Sequence, residues 1–388
     1  MSRLSIAALA LLVAPGSALA QGTERGAFVT RLGNDTLAVE RYSRTGNKFE
    51  SDIAARVPRT RRMHYSGTLN QDGTFSELRI TATPVSQGPG QLPPVDATLV
   101  FGQDSARSKL KVGDSTQIAA VTAPAGTMPV TTFSFALYEL IAKRAQRDGS
   151  DSLSLHVVGL GANQTVETYA VRRGAEAMDI GYFGSPMHLR LDRNGNVLRV
   201  DGRETTNKVI VERVATVDVD RVAQDFAARD AAGKAVGQLS ARDTVTASVG
   251  NAQLTVDYGR PHRRGRDIFG TVVPWNQVWR TGANAATGFT TDADLTINGT
   301  KIPKGSYTLW TLPTPEGATL IVNSQTGQWG TQYDESKDFA RIKLAREHLA
   351  QPVELFTIAV EPASQGGVLS LAWDRTKYTA PIVSNRNY

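Results

Sequence analysis

The 388-residue chain contains no cysteine at all. That excludes disulfides, a cysteine nucleophile and attachment through a lipidated cysteine, and leaves apolar burial as the source of stability. A chain of this length buries enough surface for that and suggests two domains. No apolar run approaches the ~20 residues that a membrane-spanning helix needs. The formal charge is only +6, with acids and bases interleaved. It offers no basic face with stacked aromatics, so a nucleic-acid partner is not expected. Weak attraction to anionic envelope surfaces is compatible with that charge. Nucleophile elbows, P-loops and histidine pairs at ligand spacing are also missing. His64, His156, His188, His262 and His348 are scattered, so neither a metal nor a cofactor is expected. Paired carboxylates for glycoside hydrolysis are not singled out, because Asp and Glu are dispersed throughout.

The N-terminus reads as a secretion signal. Arg3 supplies the positive region, residues 6–13 are unbroken apolar, Pro15 and Gly16 follow, and Ala18-Leu19-Ala20 gives a small-x-small site. Cleavage after Ala20 is the expectation, with the mature protein exported to the periplasm or beyond.

Residues 27–217 read as an antiparallel β domain. Asn70-Gln71-Asp72-Gly73 and Asn194-Gly195 turn hairpins between alternating runs, although the run 75–81 alternates imperfectly. Residues 84–94 and 123–129, rich in Pro and Gly, read as loops. One helix is predicted over 132–147, with Phe133, Leu137, Leu140 and Ile141 on one stripe. A half-barrel-like sheet with this helix across it is the simplest architecture. At fold level it is similar to periplasmic lipoprotein carriers, an analogy that no residue motif supports. Residues 218–239 read as a helical connector capped by Asp220 and ended by Gly233 and Gly237. Residues 240–382 read as an antiparallel β-sandwich or jelly roll, with turns at Gly250-Asn251 and Asn298-Gly299. Residues 341–349 fit either a strand or a short helix.

All five tryptophans, Trp275, Trp279, Trp310, Trp329 and Trp373, lie in this second domain. Residues 259–288 add Arg260, Arg263, Arg264, Arg266 and Arg280 around the single acid Asp267. The order of short motifs resembles the bacterial domain of unknown function 2911. The matching residues are Gly259-Arg260-Pro261, Gly265-Arg266-Asp267-Ile268-Phe269-Gly270, Val273-Pro274-Trp275, residues 278–287, residues 304–309, Asn323 and Gln328-Trp329-Gly330. Where this chain has Trp275 the family pattern has another aromatic. The resemblance covers roughly 140 of the 388 residues. It implies no reaction and no site.

The residues themselves allow two readings of the cluster. In one, Arg280 is internal, satisfied by carbonyls and by Asp257, Asp267 or Asp292, with Trp279 packed over it. In the other, Arg280 offers a planar fork and Asn284 a donor and an acceptor to an outside carboxylate, phosphate or sugar hydroxyl. Arg263 and Arg264 are expected in solvent, His262 neutral beside the cations, and Trp373 in the core. The tentative ligand-binding set is Arg260, Arg266, Trp279, Arg280, Asn284, Tyr307 and Trp329. The predicted function is a non-catalytic exported protein that binds a small polar ligand or envelope glycan. The alternatives are an envelope carbohydrate hydrolase or lyase, and an acyl-chain carrier in the first domain.

Overall fold

The computed structural model describes residues 22–182 and 185–384, and the expected signal peptide lies outside them. The first of its two sheets has fifteen strands. Eight form a meander: β1 (Glu24–Leu32), β2 (Asp35–Thr45), β3 (Lys48–Ala55), β4 (Arg61–Leu69), β5 (Phe75–Pro84), β6 (Val95–Phe101), β7 (Ser105–Val112) and β8 (Ser115–Thr122). The chain then passes through β9 (Met128–Pro129) and helix α1 (Phe135–Asp148). A second meander follows, made of β10 (Ser152–Val158), β11 (Val166–Arg172), β12 (Ala177–Tyr182), β13 (Ser185–Leu191), β14 (Val197–Asp201) and β15 (Ile210–Val214). β15 pairs antiparallel with β1 and fuses the two meanders into one open sheet edged by β8 and β9.

Both turn-based hairpins are present, as β4–β5 and β13–β14. The imperfect alternation of 75–81 has a cause: the register shifts between Thr68 and Leu69, so that Phe75, Leu78 and Ile80 are all buried. Met128 and Pro129, read from sequence as loop, pair parallel with β10 and make α1 a crossover helix. That helix starts three residues later than its apolar stripe suggests. Phe133 has φ 71 and Ser134 is extended, so neither can belong to a right-handed helix.

α1 lies in the concavity of the sheet. It touches β10, β11 and β12 on one side. Across the domain it is held by β2, and Arg147 donates to the Asp72 carbonyl in the β4–β5 turn at 2.8 Å. The helix and the inward residues of the strands share one core that includes Phe28, Leu37, Tyr65, Leu137, Ile141 and Leu189. Two buried carboxyls fix it. Glu40 of β2, 1% exposed, receives the N–H groups of Phe135 at 2.6 Å and Ala136 at 3.1 Å. Its other oxygen accepts the hydroxyls of Ser51 and Ser134, each at 2.8 Å. It therefore does the work that an N-cap side chain does in other helices. Glu139, on the helix, accepts from the Tyr42 hydroxyl, from Val197 N at 2.7 Å and from Arg213 at 2.7 Å.

α2 (Val219–Ala231) packs on the opposite face of the same sheet. Val219 and Ala223 meet Val39 and Ala54, whose neighbours Ala38, Ile53 and Ala55 point to the α1 side. The cap is Asp218, which accepts from Arg221 N. Asp220, the expected cap, lies in the first turn and pairs with Arg62.

The second sheet contains β16 (Ser240–Val249), β17 (Ala252–Pro261), β18 (Thr287–Thr291), β19 (Leu295–Ile297), β20 (Thr300–Ile302), β21 (Gly305–Pro313), β22 (Ala318–Asn323), β23 (Asp338–Pro362) and β24 (Gly367–Ser384). Their order is β16-β17-β18-β21-β22-β23-β24-β19-β20. Residues 341–349 are strand, inside the 25-residue β23. Register breaks after His348 and Val353 let this strand bend, so that it pairs with β22 early and mainly with β24 later. The sheet folds over a core in which Leu254 and Val256 meet Ile358, Leu369 and Trp373. Among the described residues no helix is long and apolar enough to cross a membrane.

Burial pushes the Glu40 carboxyl up to about 7, against the pull of its four hydrogen bonds. The neutral form fits the site: one oxygen can donate its proton to a serine hydroxyl while the other still accepts both helix N–H groups. Because the folded value lies above the usual carboxylate range, this contribution to stability is complete below about 4.5 and is lost as pH rises through about 7. Glu40→Gln keeps an acceptor for the helix and removes the titration. Urea unfolding should therefore show wild type losing stability relative to Glu40→Gln between pH 5 and pH 8. Glu40→Ala leaves two buried N–H groups without an acceptor and should cost roughly 2–4 kcal/mol at all pH values.

Candidate functional site

Between β17 and β18 the chain makes a long excursion held by isolated bridges, His262 to Leu355, Trp279 to Thr311 and Ala285 to Trp329. It carries four of the five clustered arginines. Arg260, at the end of β17, donates Nε to the Phe356 carbonyl at 3.1 Å, Nη1 to Asp243 at 2.8 Å and Nη2 to the Thr357 hydroxyl at 3.0 Å. Arg266 donates to the carbonyls of Arg263 at 2.9 Å and His262 at 2.5 Å. Arg263 and Arg264 were expected in solvent, but each has a carboxylate from far along the chain. Asp374 lies 2.7 Å from Arg263, and Asp35 of β2 lies 2.5 Å from Arg264, whose side chain is only 8% exposed. His262 is held low first by burial and then by the Arg264 charge, rather than by its cationic neighbours alone.

Arg280 differs from these four. Its one hydrogen bond is a long one, 3.4 Å from Nη1 to the Asn284 carbonyl, and among the described residues it has no ion pair. The acids that the internal reading offered are engaged elsewhere or not in contact. Asp257 pairs with Arg242 at 2.8 Å, and Asp292 accepts from Gln253 N at 2.7 Å. Burial lowers the pKa of Arg280, with no carboxylate to restore it.

Trp279 does not cover Arg280 either. It stacks on Trp373 at 5.9 Å and meets Phe356 at 5.0 Å, as part of the aromatic packing beside the core. Trp275 stacks on Phe269, Trp310 and Trp373 are fully buried, and Trp329 alone of the five is exposed, at 45%. Tyr307 is buried and donates its hydroxyl to the Pro303 carbonyl at 3.0 Å. Of the seven residues singled out in the sequence, the structure thus brings together Arg280, Asn284 and Trp329. Arg260, Arg266, Trp279 and Tyr307 each have partners within the protein.

The three are joined by backbone. Gly330 N donates to the Asn284 carbonyl at 2.9 Å, and Ala286 N to the Gln328 carbonyl at 3.1 Å. The Arg280 stem lies over Gly330, where a Cβ would come within 2.5 Å of both Arg280 Cδ and the Asn284 carbonyl oxygen. Thr281 and Asn284 both have positive φ, 51 and 64. The turn is secured beneath by Thr281 Oγ1 to Thr311 Oγ1 at 2.7 Å and by Thr287 Oγ1 to the Thr281 carbonyl at 2.7 Å. The arrangement can present a guanidinium fork and an amide beside an open indole face.

Lys208 was not singled out in the sequence and has no motif around it. It sits in the β14–β15 connection with φ 52. Its ammonium is pushed down to about 8 by burial and then by the charges of Arg280 and Arg266.

A sizeable cavity lies elsewhere, at one mouth of the first sheet. Its 470 Å³ are lined by the β4–β5 turn, Phe101, Gly102 and Ser105, and residues 123–127. Asp72, its titratable group, is already bonded to Thr74 N at 3.0 Å and to the Thr74 hydroxyl at 2.6 Å. Between α1 and β10–β12 an apolar space of about 10 Å³ remains, at the threshold for one water. Among the described residues no group of three or more His, Asp or Glu is placed to hold a metal ion.

Residues 240–382 match the model of a family described as "Protein of unknown function (DUF2911)". No family model matches the N-terminal half. No curated protein matches the chain. Two solved structures resemble part of it. One is a DUF1089 family protein from Pseudomonas aeruginosa, 14% identical over 52% of this chain and 97% of its own, with a TM-score of 0.29. The other is a beta-barrel-like protein of domain of unknown function DUF1849 from Brucella abortus, 11% identical over 50% of this chain and 94% of its own, with a TM-score of 0.31. Likenesses at that level define neither fold nor activity. The match to that family model lies wholly in the motif-rich C-terminal part of the chain, residues 240–382.

Proposed function

We propose that this is an exported, non-catalytic protein whose C-terminal domain binds a small polar ligand or envelope glycan at Arg280, Asn284 and Trp329. One observation carries the reading. Among the described residues Arg280 alone of the five clustered arginines has no carboxylate and no short carbonyl contact, and its stem lies over Gly330, the residue that follows the exposed Trp329. Desolvating a guanidinium without pairing it is unfavourable, so such a group is best explained by an outside acceptor. A sugar ring offers an apolar face for Trp329 and hydroxyls for Asn284 and the guanidinium. The N-terminal domain, filled by its own helix, serves in this reading as a scaffold. Export rests on the N-terminal sequence pattern.

Glycan-array binding and thermal melting of the mature protein test the site. Arg280→Ala and Trp329→Ala should each weaken binding about tenfold or more while leaving the melting temperature nearly unchanged, because neither side chain is needed by a buried partner. If Arg280→Ala unfolds the protein and wild type binds nothing on the array, the cluster is structural. Arg260→Ala should behave in the opposite way. Loss of its three contacts should destabilise the domain by roughly 1–3 kcal/mol without changing specificity. Gly330→Ala should displace the Arg280 stem and reduce binding as much as removing the guanidinium, in the same assay.

A further inference from the structure

We propose that the cavity at the mouth of the first sheet is a second binding site, independent of Arg280, and that it takes a neutral saccharide or similar polyol, held by Asp72, Asn70 and Ser105 against the ring of Phe101.

The topology of the meander gathers the walls. Strands β4 to β8 are antiparallel in succession, so the β4–β5 turn, the β6–β7 turn and the chain leaving β8 emerge at the same end of the sheet. Helix α1 ends there too, and its last turns hold two of the three walls. Arg147 donates to the Asp72 carbonyl at 2.8 Å, and Arg144 donates to the Gly126 carbonyl at 2.5 Å. Gly73 and Gly126 both have positive φ, 81 and 85, and a Cβ on either would strike the guanidinium beside it. The remaining wall is tied to its neighbour, because Ala123 N donates to the Asp104 carbonyl at 2.9 Å. The β6–β7 turn itself is closed by Gly102 N to the Ser105 carbonyl at 2.7 Å.

Turns fixed to one another and to a helix are placed to close on each other, as protein interiors do. Instead 470 Å³ stays open between them, within the ~300–1,000 Å³ of small-molecule sites. The floor is apolar. Phe75 and Ala123 are buried in the core of the domain, and Phe101 is half-buried against it. The rim is polar and keeps hydrogen-bonding capacity. Asp72 spends Oδ1 on Thr74, and among the described residues its Oδ2 has no partner. Asn70 gives Nδ2 to the Thr74 hydroxyl at 2.9 Å, which leaves its carbonyl oxygen to accept. The Ser105 hydroxyl lines the same space.

Charge decides the class of ligand. Partial burial raises the pKa of Asp72, but the two bonds from Thr74 and then the charges of Arg144 and Arg147 outweigh it, so the carboxyl is held below its usual value and is an anion at neutral pH. The two guanidiniums behind the rim offset that charge, which favours neither a free cation nor a free anion. A neutral sugar fits both halves of the cavity. Its hydroxyls donate to Asp72 Oδ2 and Asn70 and accept from Ser105, while the apolar face of the ring lies on Phe101.

The test is titration calorimetry of the mature protein with glucose, maltose and N-acetylglucosamine, with putrescine and octanoate as the cationic and apolar arms. The variants are Asp72→Asn, Ala125→Trp and Arg280→Ala, with melting temperatures as the control for folding. Asp72→Asn keeps an acceptor for Thr74 and removes the unpartnered carboxylate oxygen. Ala125→Trp fills the space from an exposed position on its wall and removes no contact, so it reads the site even if Asp72→Asn melts early. The expected result is that at least one sugar binds wild type, weakens about tenfold or more in Asp72→Asn, is lost in Ala125→Trp and is unchanged in Arg280→Ala. Sugar binding that survives both Asp72→Asn and Ala125→Trp overturns this site, and its loss in Arg280→Ala then leaves the C-terminal site standing. Two classes of sugar binding, one lost in Ala125→Trp and the other in Arg280→Ala, support both sites. Putrescine or octanoate bound in place of the sugars overturns the saccharide assignment, and so does the absence of binding by any titrant.

Discussion

The carboxyl of Glu40 joins the two kinds of secondary structure on which the first domain depends. A fifteen-stranded sheet has a large apolar face, and α1 fills its concavity. A helix inside a sheet cannot send its first N–H groups to water, and Glu40 takes two of them directly from β2. Glu139, one turn further along the helix, returns the contact to Tyr42 on the same strand and to β14 and the Arg213 side chain. Helix and strand are thus fixed in register by polar groups that are costly to leave unmade, while the surrounding apolar contacts supply most of the burial.

The same strand also orients the second domain. β2 begins at Asp35, which pairs with Arg264, and the preceding turn bonds the Arg264 backbone. β1, which leads into that turn, pairs along its length with β15 from Ile210 to Val214. The C-terminal domain contributes a rigid base, since Thr281, Thr287 and Thr311 tie the turn below Arg280 to the sheet. The candidate site is built on this base rather than in the cavity at a mouth of the first sheet, which is lined by short polar turns.

Much of the fold was legible because it is local. Asn194-Gly195 and Asn298-Gly299 specify tight hairpins by their backbone preferences, and Asn298 and Gly299 both adopt positive φ, 42 and 80. Alternation along Met187, Leu189 and Leu191 marks a face because side chains alternate across any strand. The misreadings arose where a neighbour outside the window decided. Met128 and Pro129 became strand only because β10 lies beside them, and α1 lost its expected first turn to the left-handed Phe133. Residues 341–349 settled as strand because β22 and β24 pair with them.

The sequence by itself determined the two β-rich halves, the hairpins, the helix stripe and the concentration of cations and indoles in residues 259–288. Only the tertiary structure decided which of those cations have partners. Arg260 is engaged by residues about a hundred positions away, and Arg264 by Asp35, 229 positions away. A guanidinium reaches whatever acceptor the fold places within a few ångströms, and no local pattern encodes that distance. For the same reason composition grouped five tryptophans into one apparent face, whereas packing buried or stacked four and left Trp329 open beside Arg280.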